Sequence, residues 1–287
     1  MNNELKRRIY TRIMLFLAYL ATVMTVFVVG FIIVYVFVRA IPHFSWQLLT
    51  SKPSYINETI GVLPDILNTI YMVALTLLIA APIGIGSAIY LNEYAKAGKI
   101  VKIIQFTTET LSGIPSIIFG LFGMVFFGTT LGFGYSILTG SLTLTIMVLP
   151  LITRNTQEAL KTVPDSYRSG ALGMGATKWY MIRTILLPSA LPGIVTGVIL
   201  AIGRIVGESA ALLFTAGSGF LLPRTAEGFL TKIMEPGGTL TIQLYLSMTK
   251  GQYDVAFGIA TVLLVIVLAI NIFTKILASR LDVNRRK

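Results

Sequence analysis

The sequence contains no cysteine and a single histidine, His43. Disulfide bonds, thiol catalysis and thiolate metal sites are therefore excluded, and one histidine beside Pro42 cannot supply the paired ligands of a metal site. We assign His43 a structural or interfacial role. Charged residues are also scarce, at 12% of the chain against roughly a quarter in a soluble domain, whereas hydrophobic residues make up 55%. Lipid is therefore the solvent for most of this chain.

The sequence also lacks the Gly-x-x-x-x-Gly-Lys-Ser/Thr loop that binds nucleotide, and it has no metal or nucleophile constellation. We therefore predict that the chain is not an enzyme and holds no cofactor. A net charge of +11 can indicate nucleic-acid binding, but the basic residues flank apolar runs and form no aromatic-studded soluble surface. Membrane lipid, and not nucleic acid, is the predicted environment.

Long apolar runs recur along the whole chain and predict an all-α polytopic membrane protein with six transmembrane helices. About twenty apolar residues cross a bilayer core. By that measure the candidate spans are 13–38, 64–91, 106–127, 137–152, 191–216 and 255–277. The fourth is short, although its helix can continue to residue 160. Gly-xxx-Gly spacings at 128/132, 193/197 and 203/207 predict close helix packing within the bundle.

The distribution of positive charge predicts the orientation of these spans. Six spans place both termini on one side of the membrane. Connections on that side hold seventeen of the 23 Lys and Arg residues, those on the other side hold five, and Arg204 lies inside a span. Because Lys and Arg accumulate on the cytoplasmic side, both termini are predicted to be cytoplasmic.

Ionisable side chains inside spans usually serve a function, because burying them in lipid is costly. Arg204 and Glu208 stand four residues apart, a spacing at which they can pair on one helical face. The guanidinium would keep spare donors that match two oxygens of an oxyanion, so we consider a substrate-path role beside a purely packing role. Arg154, with Glu158 as a possible partner, is either a second path residue or a topological anchor. Glu109 is interpreted as a helix-terminus charge.

The connection between the fourth and fifth spans is unusually structured. Pro164-Asp165-Ser166 predicts a helix start with an oxygen-bearing cap, and Gly173 and Gly175 predict its stop. A second helix is predicted from about 176 to 188. From the residues alone, such a pair of short helices is equally suited to lie in the membrane interface with Trp179 as an anchor.

The same connection resembles the EAA loop of ABC importer permeases. That pattern is Glu-Ala-Ala, three residues, Gly, nine residues, Ile, one residue and Leu-Pro. Here Ser169-Gly170-Ala171, Gly175, Ile185 and Leu187-Pro188 fit every spacing. Ser169 and Gly170 depart from the expected Glu and Ala. In that family the loop forms a coupling helix that sits in a groove of a separate ATPase subunit, so the resemblance implies this role for these residues.

Three further stretches resemble phosphate-importer permeases: residues 64–95, 113–123 and 203–210. The continuation 212–216 is more similar to the PstA type of subunit than to the PstC type.

The resemblance implies the type I ABC importer permease architecture in a bacterial inner membrane. Residues 1–63 would contain the N-terminal tail, the first span and an outer loop. Residues 64–281 would form the five-span permease domain, with its coupling loop at about 159–188. Residues 282–287 would form a cytoplasmic tail. The implied partners are a PstC-like permease, PstB-like ATPase subunits and a PstS-like phosphate-binding protein, and the implied substrate is phosphate. A permease for sulfate or molybdate is the rival within this class, and a passive anion channel is the rival outside it.

Overall fold

The structure, a computed structural model, describes residues 2–43, 45–53, 61–96, 98–222, 228 and 231–281. Within these residues all regular structure is helical. The α-helices are α1 (Asn2–Ala40), α2 (Trp46–Thr50), α3 (Leu63–Ile89), α4 (Lys99–Gly113), α5 (Ser116–Gly123), α6 (Ile137–Lys161), α7 (Asp165–Gly173), α8 (Lys178–Met181), α9 (Leu187–Gly207), α10 (Ala210–Thr215), α11 (Leu240–Thr249) and α12 (Tyr253–Leu281). The π-helical segments Tyr90–Tyr94, Met124–Thr130 and Ile182–Leu186 extend α3, α5 and α8. The predicted tail at 282–287 lies outside the described residues.

Five helical segments are long and apolar enough to cross a membrane, and a bent helix pair supplies a sixth if it is counted as one span. The five are Lys6–Ala40, Leu63–Tyr94, Ile137–Lys161, Lys178–Gly207 and Tyr253–Ile276. The predicted polytopic all-α class is confirmed. The helix of the fourth span continues past residue 152 to Lys161, as its sequence indicated.

The predicted third span, 106–127, is not one straight helix. α4 ends at Gly113, α5 begins at Ser116, and the two helices bend by 102° at the break. Pro115 disfavours the helical conformation in the residue before it, and Ile114 accordingly has extended angles of φ −72° and ψ 131°. The local sequence therefore causes the bend.

The core of the bundle lies between α3, α6 and α9, and α6 is its most buried span. Small residues allow the close approach. A Cβ atom added at Gly193 would lie 2.5 Å from the Ala159 Cβ, and one added at Gly197 would lie 2.7 Å from the Asn155 Cβ. The predicted packing role is confirmed for this Gly-xxx-Gly pair. The pair at 203/207 differs, because nothing described lies within 4 Å of an added Cβ at either glycine.

The first span is the most peripheral one. None of the most apolar stretch of α1 is buried within the chain, and the helix packs mainly against α12, where Tyr35 meets the Phe257 ring edge-on at 5.9 Å between centroids. A helix whose apolar side chains face outward all round suits lipid or another membrane subunit. α1 therefore contributes little to the core that positions the rest of the chain.

Candidate functional site

The connection 159–188, which we call the elbow, joins α6 to α9 at one end of the bundle, which we call the elbow end. The elbow contains α7, a turn at residues 174–177 and α8. Three residues of α7 and its cap, Ser169, Leu172 and Met174, are exposed to solvent, and Met174 is 87% exposed. Ala171 is only 4% exposed and packs with Leu160 in a small apolar core beneath α7. One face of the elbow thus packs against the rest of the chain, and the opposite face, which we call the free face, is exposed.

α7 ends in a Schellman motif, in which two amide groups satisfy the last carbonyls of the helix. The Ala176 N–H donates to the Ala171 carbonyl (3.1 Å), and the Gly175 N–H donates to the Leu172 carbonyl (3.0 Å). Gly175 has a φ of +83°. This left-handed conformation is unfavourable for residues that have a Cβ atom, but glycine adopts it readily. The predicted stop at Gly173 and Gly175 is confirmed, and the backbone explains why glycine stands at 175.

α7 starts at the predicted position, but the predicted side-chain cap is not formed. The helix begins at Asp165 after Pro164, yet no side chain caps its first turn. The Asp165 carboxylate instead accepts a hydrogen bond from Arg168 Nη1 at 3.0 Å. The expected capping role is therefore wrong, because Asp165 is already the first helical residue and the cap position is held by Pro164, whose side chain has no polar atom.

The second helix of the elbow does not stop near residue 188 as predicted. Thr177 caps α8 with its hydroxyl, which accepts a hydrogen bond from the Tyr180 N–H (3.3 Å). The chain then passes through the π-helical segment Ile182–Leu186 directly into α9, so residues 178–207 form one span. Ile185, Leu187 and Pro188 are partly buried in this continuous helix. They therefore fix the elbow to the bundle and lie away from its free face.

Arg204 and Glu208 do not form the predicted pair on one helical face. α9 ends at Gly207, and Glu208 has extended angles (φ −82°, ψ 124°). Its carboxylate accepts a hydrogen bond from the Ala211 N–H (3.0 Å) at the start of α10, and its carbonyl accepts one from the Thr241 hydroxyl (2.8 Å). Arg204 is exposed and makes no ion pair within the described residues. Its guanidinium is thus available to groups outside the chain.

Arg154 lies in a polar cleft between α4 and α6 near the elbow end. The cleft has a volume of about 190 Å³. Its lining residues are Leu91, Gln105, Thr108, Glu109, Arg154, Gln157, Glu158 and Lys161. Glu158 does not pair with Arg154 but with Lys161, at 3.1 Å. Glu109 lies within α4 and not at a helix terminus, so its sequence interpretation is corrected.

The two arginines lie at different depths in the bundle. Contacts between the antiparallel helices α6 and α9 place Asn155 level with Gly197 and Ala159 level with Gly193. Arg154 is therefore level with residue 198, and Arg204 lies six residues further from the elbow end, about 9 Å along the axis. This arrangement offers two separate cationic positions for an anion.

The sequence analysis missed an ion pair beneath the elbow. Arg168 binds Glu93, with 3.0 Å between Nη2 and Oε1, and Glu93 follows α3. Lys178 donates a hydrogen bond to the Glu93 carbonyl and lies over the Tyr94 ring. The sequence offered one signal, because Glu93 is the only carboxylate in a connection that also holds Lys96, Lys99 and Lys102.

Comparisons with known proteins agree with this architecture. A model of the family described as binding-protein-dependent transport system inner membrane component matches residues 80–287. A probable ABC transporter permease protein, YqgI of Bacillus subtilis (strain 168), is 36% identical over 250 residues, which cover 83% of this chain and 84% of that protein. The phosphate transport system permease protein PstA of Pasteurella multocida (strain Pm70) is 32% identical over 270 residues, covering 94% and 95% of the two chains.

Among solved structures, a chain of a bacterial alginate ABC transporter aligns with a TM-score of 0.69 at 16% identity, covering 96% of this chain and 98% of that one. A chain of the MetNI methionine ABC transporter aligns with a TM-score of 0.58 at 20% identity, covering 77% and 94%. At these identities the likeness concerns the fold alone.

The bundle and its elbow define a multi-span permease subunit of the ABC importer class. The chain belongs to the family of binding-protein-dependent transport system inner membrane components.

Proposed function

We propose that this chain is the PstA-like permease subunit of an ATP-driven phosphate importer. Support comes from the PstA relatives, which match almost the full length of this chain and carry phosphate transport in their names. In this proposal the chain forms half of the translocation path with a PstC-like permease. PstB-like ATPase subunits supply the energy, and a PstS-like protein delivers the ion.

The free face of the elbow is the proposed docking surface for the ATPase. Ser169 and Gly170 are exposed on α7, as are the apolar side chains of Leu172 and Met174. Exposed apolar side chains beside a rigid turn suit a protein groove. Ala171 has the supporting role, because it is buried against the chain's own core. This exposed surface on a well-packed helix is the observation that supports coupling of the chain to an ATPase.

The elbow end is proposed to be cytoplasmic, as are both termini. The connections that the sequence assigns to this side hold seventeen of the 23 Lys and Arg residues, and positive residues are retained on the cytoplasmic side. An ATPase in the cytoplasm would then meet the elbow directly. Labelling of single cysteines at Met174 and Trp46 from either side of the membrane tests this orientation, and reaction of Met174 only from outside the cell would contradict it.

Arg204, Glu208 and Arg154 are proposed to serve the substrate path. A guanidinium carries five donors in a plane that matches two oxygens of a phosphate ion. Arg204 and Arg154 would each hold the ion briefly at its own depth. Glu208 would act through position, since its carboxylate and carbonyl fix the break after α9 that leaves Arg204 near a helix end.

The test is accumulation of radiolabelled phosphate by the complete complex in proteoliposomes, with sulfate and molybdate as competitors. Phosphate that accumulates against its gradient only when ATP is supplied supports the proposal. Preference for sulfate or molybdate would assign another oxyanion, and equilibration without ATP would identify a passive channel.

A further inference from the structure

Arg168 sits at the junction of three helices. It is in α7, and its guanidinium reaches the end of α6, where Nη2 donates to the Leu160 carbonyl (3.0 Å) and Nη1 to the Val163 carbonyl (2.9 Å). It also reaches the π-helical segment after α3, where Nε and Nη2 both donate to Glu93 Oε1, at 3.2 and 3.0 Å. One side chain therefore ties the elbow to the ends of two core helices.

The contact with Glu93 is buried, whereas the contact with Asp165 is not. The Glu93 side chain is 5% exposed and that of Arg168 is 19% exposed, but Asp165 is 97% exposed. A buried ion pair repays its desolvation only if the remaining polar atoms are satisfied. Here all three guanidinium nitrogens of Arg168 have an acceptor, which meets that condition for the arginine, and the Asn92 amide adds a third donor to Glu93 Oε1 at 2.7 Å.

The second arm of the elbow is tied to the same place. Lys178, the first residue of α8, donates a hydrogen bond to the Glu93 carbonyl, and its ammonium lies 4.8 Å from the centroid of the Tyr94 ring. Both helices of the elbow are therefore held by residues 93–94. The elbow cannot tilt without moving this segment or breaking these contacts.

The helices that receive these contacts form the centre of the bundle. α3 and α6 pack along their length, and Gly84 of α3 lies so close to α6 that an added Cβ would be 2.8 Å from Ile152. Rigid helices that pack this closely move together. A displacement of their ends at the elbow is therefore transmitted towards the level of Arg154.

We propose that the Arg168–Glu93 ion pair is a transmission joint, which converts a push on the elbow into movement of α3 and α6. Arg168 is a positioning residue in this scheme, since it acts through Glu93 and touches no substrate. The inference rests on the proposed function, in which an ATPase docks on the elbow. It deepens that function by naming the residues that carry the displacement into the membrane.

A purely structural role differs from this one in its consequence. The apolar core of Leu160, Ala171, Met181 and Ile182 already holds the elbow on the bundle. Loss of the ion pair should therefore leave α7 in place but loosen its connection to α3. ATP hydrolysis would continue while transport per ATP fell.

The experiment compares Glu93→Gln, Arg168→Lys and Arg168→Gln with Asp165→Asn in the reconstituted complex. The Asp165 substitution is the matched control, because it neutralises the other carboxylate that contacts the same guanidinium at equal distance but at an exposed site, where ion pairs contribute little. Substrate ions accumulated per ATP hydrolysed are the first readout. The second is a cross-link from a single cysteine at Met174 to the ATPase subunit, which reports docking.

We expect Glu93→Gln and Arg168→Gln to lower the transport-to-hydrolysis ratio by about tenfold, because each substitution removes one charge of a buried, hydrogen-bonded ion pair. The cross-link should persist. Arg168→Lys should fall between, because an ammonium cannot reproduce the planar donor fork. Asp165→Asn should retain the wild-type ratio.

Two outcomes would contradict the proposal that the Arg168–Glu93 pair transmits movement. A wild-type ratio in all three variants shows that the pair transmits nothing, and a lost cross-link or failed assembly in all three shows that it only maintains the fold or the docking surface. Failure of the proposed function is seen separately in the wild-type complex. If that complex accumulates another oxyanion, the same ratio is measured with that ion.

Discussion

Substitution of Gly175 separates the backbone requirement of the elbow from its side-chain contacts. The residue has a φ of +83°, and nothing lies within 4 Å of the position that a Cβ would occupy. Gly175→Ala therefore creates no clash, and its cost is that of placing alanine in the left-handed region, roughly 1–2 kcal/mol. This cost lowers the population of the Schellman geometry relative to other turns by about 5–30-fold.

The chain offers a control for this substitution two residues away. Gly173 ends α7 with ordinary helical angles, and an added Cβ there also meets nothing within 4 Å. Gly173→Ala should be neutral or stabilise the helix by about 0.5–1 kcal/mol. Asparagine tolerates the left-handed region better than alanine does. The expected order of ATP-dependent uptake is thus glycine, asparagine and alanine at 175, with Gly173→Ala at the wild-type level.

The assay is ATP-dependent uptake in proteoliposomes together with cross-linking at Met174, where an introduced cysteine is unique because the chain has none. Reduced uptake with a weaker cross-link supports an elbow whose shape is needed for docking. Equal uptake in Gly175→Ala and Gly173→Ala would refute the reasoning. Continued ion flux in a Gly175→Ala protein, independent of ATP, would favour a passive channel.

Three further outcomes are expected. Arg204→Gln should lower phosphate uptake by at least about tenfold while assembly with the ATPase persists, since a charge-assisted contact is lost; normal uptake would exclude Arg204 from the substrate path. Arg154→Gln should weaken uptake without changing thermal stability, because Arg154 has no ion pair among the described residues. Gly197→Ala should lower the unfolding free energy by about 1–3 kcal/mol, because its Cβ would lie 2.7 Å from the Asn155 Cβ, whereas Gly203→Ala, with open space, should not. Thermal unfolding of the purified chain in detergent distinguishes these two.

Several features of the fold could be predicted because they depend on neighbouring residues. Hydrophobic runs indicated the spans, and Gly175 indicated the end of α7. The bend at Ile114 was also encoded locally, by Pro115, but the apolar run on either side suggested one straight span. Helix breaks inside apolar runs are missed when hydrophobicity alone sets the boundaries.

The candidate site was predicted less completely. The elbow was placed correctly and Arg204 was singled out, but its pairing with Glu208 was wrong. The helix breaks there because Glu208 accepts hydrogen bonds from Ala211 and from Thr241, which is 33 residues away. A spacing of four residues predicts a pair only if the helix continues, and here a distant hydroxyl helps to end it.

The sequence by itself determined that the chain is an integral membrane protein, which end of each span carries positive charge, and where the elbow turns. These properties follow from hydropathy, charge and the conformational freedom of glycine, all of which act over a few residues. Only the tertiary structure decided that Arg168 meets Glu93, 75 residues earlier in the chain, and that Arg154 opens onto a cleft shared with α4. Such contacts depend on how packed helices bring remote segments together, and no local pattern specifies that distance.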